Sequence, residues 1–156
     1  MNIKIRQIAA DEAEYLCRSI TIDLPEYFGL PECNEHYAKG VHEKTNFSLD
    51  ISNVPVGLLS LDFPYPNNAN IYWMGILKMH QAKGYGHQLV ESACDYAKQH
   101  DASTMTVETL SPTESDENYL KTYRFYKTMG FLPLFNLKPE GYVWQMAYMC
   151  KNLLKS

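Results

Sequence analysis

At 156 residues the chain is long enough for a single domain that buries a sizeable core without disulfide or metal staples. Its 46% apolar and 21% charged content is that of a soluble globular protein, and no apolar run approaches the roughly 20 residues of a membrane helix. A formal charge of −4 without a basic stripe argues against a nucleic-acid surface and suits a small or cationic ligand. The N-terminal Met1-Asn2-Ile3-Lys4-Ile5-Arg6 lacks a signal-peptide core, so a cytoplasmic location is expected. Cys17, Cys33, Cys94 and Cys150 form no Cys-x-x-Cys pair and read as reduced thiols. The five histidines include no i, i+4 pair and no cysteine at ligand spacing, so no metal site is expected.

In chain order, Asn2 to Ile8 sets Ile3 and Ile5 against Lys4 and Arg6, the pattern of a half-buried strand. A helix follows from Ala10-Asp11, with Asp11 and Glu14 as a capping-box-like pair and Ala13, Leu16, Cys17 and Ile20 as its buried stripe. Leu24 to Pro31, with two prolines, Gly29 and the aromatic Tyr27 and Phe28, is a loop that either lines a substrate site or is pinned on the core. Pro31 to Thr45 is a second, less regular helix. Asn46 to Ser52 and Val56 to Phe63 are two antiparallel strands around an Asn53-Val54-Pro55 turn. Pro64 to Asn70 is a further turn, and a strand-like run of apolar and aromatic residues occupies Ile71 to Gln81.

From Gly86, the residues Leu89, Val90, Ala93, Cys94 and Ala97 fall on one helical stripe. Thr104 to Leu110 is a strand, Ser111 to Glu117 a polar loop, and Asn118 to Met129 a helix closed by Gly130. Phe131 to Leu137 is a strand, 138–141 a turn, and Tyr142 to Asn152 a last alternating strand. Its Tyr142, Trp144 and Tyr148 either cover the sheet or line a homodimer interface.

The junction at residues 81–87 carries the chemistry. A strand that turns into a helix through Gly84 and Gly86 presents unpaired helix amides and the positive end of the helix dipole, which is an anion site and most economically a phosphate site. A dinucleotide fingerprint would need a third glycine where Leu89 stands, and a P-loop would need Ser or Thr after its Gly-Lys. Gln81-x-x-Gly84-x-Gly86 resembles instead the (Gln/Arg)-x-x-Gly-x-(Gly/Ala) signature of the GNAT superfamily, the acetyl-CoA-dependent N-acetyltransferases. Phe125-Tyr126-Lys127-Thr128-Met129-Gly130-Phe131 is similar to that family's helix-closing Tyr-x-x-x-Gly-Phe segment, and the resemblance covers essentially the whole chain.

The resemblance implies an α/β (α+β) fold over residues 1–156. It comprises a mixed, mostly antiparallel twisted sheet of about seven strands with about four helices, in the order β-α-α-β-β-β-α-β-α-β-β. It implies acetyl-CoA as co-substrate, an amine as acceptor, and no nucleic acid or membrane as partner. It also implies the binding residues. Ile76, Leu77 and Lys78 would meet the pantetheine arm. Gln81, Ala82, Lys83, Gly84, Tyr85, Gly86 and His87 would hold the pyrophosphate. The family's pantetheine asparagine, seven residues before the helix tyrosine, is replaced by Tyr119, with Asn118 beside it.

Three demands of acetyl transfer can be matched to named groups. Orientation of the thioester falls to the binding residues. The developing oxyanion needs a donor, for which a backbone N–H near Leu77 is the candidate. Protons must leave an ammonium and reach a thiolate. Tyr126 matches the family's tyrosine acid, although a phenol near pKa 10 protonates a thiolate near 8.5 only uphill, so hydrogen bonding to the sulfur is the alternative. Glu108, opposite Met105, Val107 and Thr109 on its strand, is the candidate base, with Asp62, Asp23 and a water-mediated route as alternatives. A non-catalytic acyl-CoA sensor on the same fold is the competing function.

Overall fold

The computed structural model describes residues 2–154. Among them the elements run β1 (Ile3–Ile8), α1 (Ala10–Asp23), α2 (Pro31–Gly40), β2 (Thr45–Ile51), β3 (Val54–Asp62), β4 (Asn68–Ile76), α3 (Tyr85–Gln99), β5 (Thr104–Leu110), α4 (Glu117–Thr128), β6 (Leu132–Leu137) and β7 (Met146–Asn152). The strands form one seven-stranded sheet in the order β1-β2-β3-β4-β5-β7-β6, mostly antiparallel, with β4 and β5 parallel. This is the expected element order and sheet. The chain packs as two compact units, Met1–Asp62 with Tyr72–Tyr96 and Phe63–Ile71 with Ala97–Ser156.

In the first unit, β2 and β3 are joined by Ser52 and Asn53, both in the left-handed region (φ 48 and 70), the geometry of the primed hairpin turns that match strand twist. Alternation in β2 suggests one wet face, yet all of Asn46 to Ile51 is buried. Helices cover both sides. Ile8, Leu16, Cys17, Ile20, Leu58 and Trp73 form a core with α1 on one side. On the other, Leu89 of α3 closes over Gly57 and Tyr96 meets the Phe47 ring edge-on at 5.1 Å. The buried Asp50 is matched by Arg6 (2.6 Å) and Ser48 (2.6 Å), and Arg6 also pairs with Glu12, so burial leaves no lone charge.

Asp11 does not cap α1. The N-cap is Ala9, without a side-chain bond, and Asp11 and Glu12 lie inside the first turn, at the positive end of the helix dipole. Glu14 instead pairs with Arg18 and His42. Pro31 opens α2 at its first turn, where the missing N–H costs nothing. Phe28 of the preceding loop stacks on Trp73 at 5.3 Å, so this loop is pinned on the core.

In the second unit, β4 starts at Asn68, ahead of the apolar run, because Asn68 to Ile71 pair with Thr104 to Val107 and the Asn68 amide reaches Thr104 Oγ1 (3.1 Å). Helix α4 is capped by Asp116, whose carboxylate accepts the N–H groups of Asn118 (3.0 Å) and Tyr119 (3.1 Å). It ends at Gly130 with φ 94. The last strand is shorter than its composition suggests. Residues 142–145 lie outside β7, so Tyr142 and Trp144 share no strand face with Tyr148, and the sheet edge in this unit is β6.

Core and edge should respond differently to truncation. Leu58→Ala is expected to lower unfolding free energy by about 2–5 kcal/mol in urea titration, the range for a buried leucine. Leu134→Ala on β6, where the side chain is 59% exposed, should change it by less than about 0.5 kcal/mol.

Candidate functional site

The end of β4 is stitched down by polar groups from two sides. Leu77 N–H donates to Val56 O (2.9 Å), and the chain then tightens into a 3-10 turn, Lys78–His80, closed by His80 N–H on Leu77 O (2.9 Å). Lys78 N–H donates to the Asp23 carboxylate (2.6 Å) at the end of α1, and Lys78 Nζ pairs with Glu26 (2.9 Å). The Gln81 side-chain amide returns to Ile76 O (3.0 Å). The strand-like run therefore stops at Ile76, not Gln81. The oxyanion donor expected near Leu77 is also corrected: the amides of Leu77 and Lys78 are both engaged, by Val56 and Asp23.

Beyond Gln81 the loop is open. Ala82 (φ 60) and Gly84 (φ 85) flank Lys83 in the left-handed region. For the alanine this costs roughly 1–2 kcal/mol, strain of the kind that clusters at ligand sites. A Cβ added at Gly84 would meet nothing within 4 Å, so that glycine serves conformation and leaves clear space before the main chain. Gln88 N–H to Gly84 O (3.2 Å) closes the first turn of α3, which leaves the amides of Gly86 and His87 ahead of it without intrahelical carbonyls. The Tyr85 side chain is buried and anchors this helix start, while Ala82, Lys83, Gly84 and His87 are exposed. Lys83 has no ion-pair partner among the described residues, and His87 faces Glu91 at 3.8 Å. The arrangement gathers main-chain donors, a helix dipole and a free ammonium in one short loop, which is what a phosphate group binds.

The second unit holds the remaining candidates. Tyr126, 5% exposed, sits between Phe125 (5.3 Å) and Phe131 (5.5 Å), and burial pushes its phenol pKa well up. Tyr119 and Tyr123, seven and three residues before it on α4, are only half-buried. Asn118 is the second residue of α4, with its N–H taken by Asp116. Glu108 lies directly opposite Tyr148 across β5 and β7, and the Tyr148 hydroxyl donates to its carboxylate. Burial first, and this carboxylate second, raise the Tyr148 pKa. The alternative bases are engaged elsewhere: Asp62 with Lys44 (3.4 Å) and Asp23 with the Lys78 amide. Sequence reasoning missed Asp23 as the anchor of the turn and Tyr148 as the partner of Glu108. Neither has a local signal, since each meets its partner from a distant element.

The model of the acetyltransferase (GNAT) family matches residues 8–131. The chain belongs to the GNAT family. Its fold is shared by a GNAT-family protein from Desulfovibrio desulfuricans, 15% identical with a TM-score of 0.83, over 97% of this chain and 99% of that one. It is shared also by the PaiA N-acetyltransferase of Thermoplasma acidophilum in complex with coenzyme A, 15% identical with a TM-score of 0.72, over 97% and 99% of the two chains. A chimera of the spermidine N-acetyltransferase SpeG from Vibrio cholerae and hSSAT is 18% identical, with a TM-score of 0.71 over 98% and 96%. No curated protein matches by sequence. Among the described residues of this GNAT chain, no helix is long and apolar enough to cross a membrane and no cluster of His, Cys, Asp or Glu is arranged to hold a metal.

Because the need for glycine at position 84 is conformational, Gly84→Ala should destabilise the protein by about 1–2 kcal/mol in denaturant titration. Gly84→Asn should cost less than half as much, since asparagine tolerates the left-handed region; equal losses would point to a steric cause instead.

Proposed function

We propose that residues 1–156 form one cytoplasmic acetyl-CoA-dependent N-acetyltransferase domain that moves an acetyl group from the coenzyme thioester to a primary amine of a small molecule or peptide. The observation that carries this reading is the loop at residues 81–87, with its left-handed Ala82 and Gly84 and the open N-terminus of α3. In this role the amides of Ala82 to His87 cradle the pyrophosphate, Lys83 adds charge, and His87 borders the site. Gln81 holds the loop to Ile76 while Ile76, Leu77 and Lys78 run beside the pantetheine arm. Asn118 contacts the pantetheine from α4. The coenzyme A complex of the PaiA structure supports this choice of ligand.

The chemistry is a direct attack. The amine nitrogen bonds to the thioester carbonyl carbon, a tetrahedral intermediate forms, and the carbon–sulfur bond breaks to release the coenzyme thiolate. The acceptor arrives as an ammonium with a pKa of about 10, so a proton must go first, and Glu108 takes it. The thiolate leaves with a reference pKa of about 8.5. Burial makes Tyr126 a weaker acid than a free phenol, so its part is to donate a hydrogen bond to the leaving sulfur rather than to surrender its proton outright. The free-standing alternative, a sensor that binds acyl-CoA without turnover, is separated by one assay. Release of coenzyme thiol in the presence of an amine panel supports the enzyme; binding without release supports the sensor. A homodimer would pair the β6 edges, where Leu132, Leu134, Phe135 and Leu137 are exposed.

Two variants test the roles. Tyr126→Phe is expected to lower kcat about tenfold or more with coenzyme affinity kept, and an unchanged kcat would remove the tyrosine from the mechanism. Glu108→Gln should lower kcat/KM about a hundredfold at pH 7. That deficit should shrink toward pH 10, where about half of the amine is already neutral; a deficit independent of pH would mean that Glu108 is not the base.

A further inference from the structure

Asp23 is the last residue of α1, where the helix itself gains nothing from an acidic side chain. The C-terminus is the negative end of the helix dipole, so a carboxylate is unfavourable there, and the last turn of α1 holds no basic residue to offset it. The chain then folds into a tight turn of its own, with Tyr27 N–H (3.1 Å) and Phe28 N–H (3.0 Å) on Leu24 O and the Asn34 side-chain amide on Phe28 O (2.9 Å). The partners of the acidic groups lie on β4. The Asp23 carboxylate accepts Lys78 N–H at 2.6 Å, and Glu26, three residues on, pairs with Nζ of the same lysine at 2.9 Å.

These contacts continue back along the strand. Phe28 stacks on Trp73 at 5.3 Å, and a Cβ built at Gly75 would meet Ile20 of α1 and the Trp73 ring, each at 2.8 Å, so the helix lies directly on β4 there. From Trp73 to Lys78 the end of the strand is thus held by one continuous piece of chain, residues 20–28. Lys78 is where that hold decides the path of the main chain. As the first residue of the 3-10 turn it has no intrahelical carbonyl for its N–H, and it stands between Leu77, fixed on Val56, and Gln81, fixed on Ile76. A carboxylate accepting this N–H makes a charge-assisted bond, stronger than water would offer.

We propose that Asp23 is a positioning residue for the coenzyme. By fixing the Lys78 amide, with Glu26 holding the lysine side chain, it sets the path on which Ile76 to Lys78 meet the pantetheine arm and residues 81–87 meet the pyrophosphate. This rests on the acetyl-CoA reading and adds to it a residue that lies outside both sequence motifs. Asp23 touches no ligand in this role, and its effect is on coenzyme affinity rather than on proton transfer.

The test uses the full chain and CoA. Calorimetric titration should give a Kd about tenfold weaker in Asp23→Ala, and within about threefold of wild type in Asp23→Asn, which keeps an acceptor oxygen in the same place. Exchange of the Lys78 amide with deuterium, followed by NMR without ligand, should be about tenfold faster in Asp23→Ala. Asp23 is exposed, so these variants should fold, which circular dichroism checks. A second change separates the path of the main chain from any other effect of the carboxylate. Leu77 (φ −51, ψ 141) already has the conformation required before a proline, and Lys78 opens its turn, a position that proline tolerates. Lys78→Pro added to Asp23→Ala should therefore fix the turn without the carboxylate and bring the CoA Kd back to within about threefold of wild type. Equal CoA affinity in wild type and Asp23→Ala, an equal loss in Asp23→Asn, or no recovery with Lys78→Pro would overturn the positioning role and leave the acetyl-CoA reading standing. Wild-type protein that binds no CoA, with its Lys78 amide protected all the same, would overturn the acetyl-CoA reading and the role of Asp23 with it.

Discussion

Everything proposed for this chain depends on how the backbone leaves β4. A strand that stops in the middle of a sheet strands its next amides, and buried amides must find partners. Here Val56 takes Leu77, Asp23 takes Lys78, and Gln81 reaches back to Ile76. With those groups satisfied inside the protein, the next ones need not be. The helix start at Gly86 and His87 then precedes the first intrahelical bond, beside left-handed Ala82 and Gly84 and at the positive end of the dipole of a fifteen-residue helix. Asp23 is thus more than a helix-end carboxylate, because it ties the end of α1 to the turn that aims the loop.

A second regularity concerns protons. Both phenols singled out by their surroundings, Tyr126 and Tyr148, have pKa values raised by burial, and at neutral pH both are hydrogen-bond donors that do not ionise. In the proposed reaction, proton removal would therefore fall to the carboxylate that Tyr148 contacts, and Tyr126 would stabilise the leaving sulfur by donating a hydrogen bond without giving up its proton.

The loop at 81–87 was legible because its signal is local. Glycine spacing, a preceding apolar run and a helical stripe all lie within thirty residues, and the same holds for the Gly130 stop of α4, whereas the turn expected at Asn53-Val54-Pro55 is made by Ser52 and Asn53, with Val54 and Pro55 already in β3. What was not legible lies in partners from distant elements. Nothing near Leu77 announces Val56, and nothing near Lys78 announces Asp23, so an amide that reads as free is engaged. Asp11 with Glu14 has the spacing of a capping box, but the helix begins two residues earlier than that box requires and Glu14 is drawn to Arg18 and His42. The burial of Asp50 in β2 has no local sign either, because its match in Arg6 lies on another strand. Tyr142 to Gln145 have strand composition, yet Gly141 (φ 85) and the clamp on Gln145 hold them outside the sheet.

The central claim is that this loop binds the pyrophosphate of coenzyme A, and the most direct measurement is the shift in melting temperature with acetyl-CoA and CoA, set against ATP and NADH. A ligand at 100 times its Kd adds about 2.7 kcal/mol, or about 5–10 °C for a domain of this length. The account predicts such a shift with acetyl-CoA and CoA, little with ATP or NADH, and its loss when Gly84 and Gly86 are both replaced by proline in a variant that still folds. No shift at saturating acetyl-CoA would contradict it, and would leave residues 81–87 as a turn between a strand and a helix.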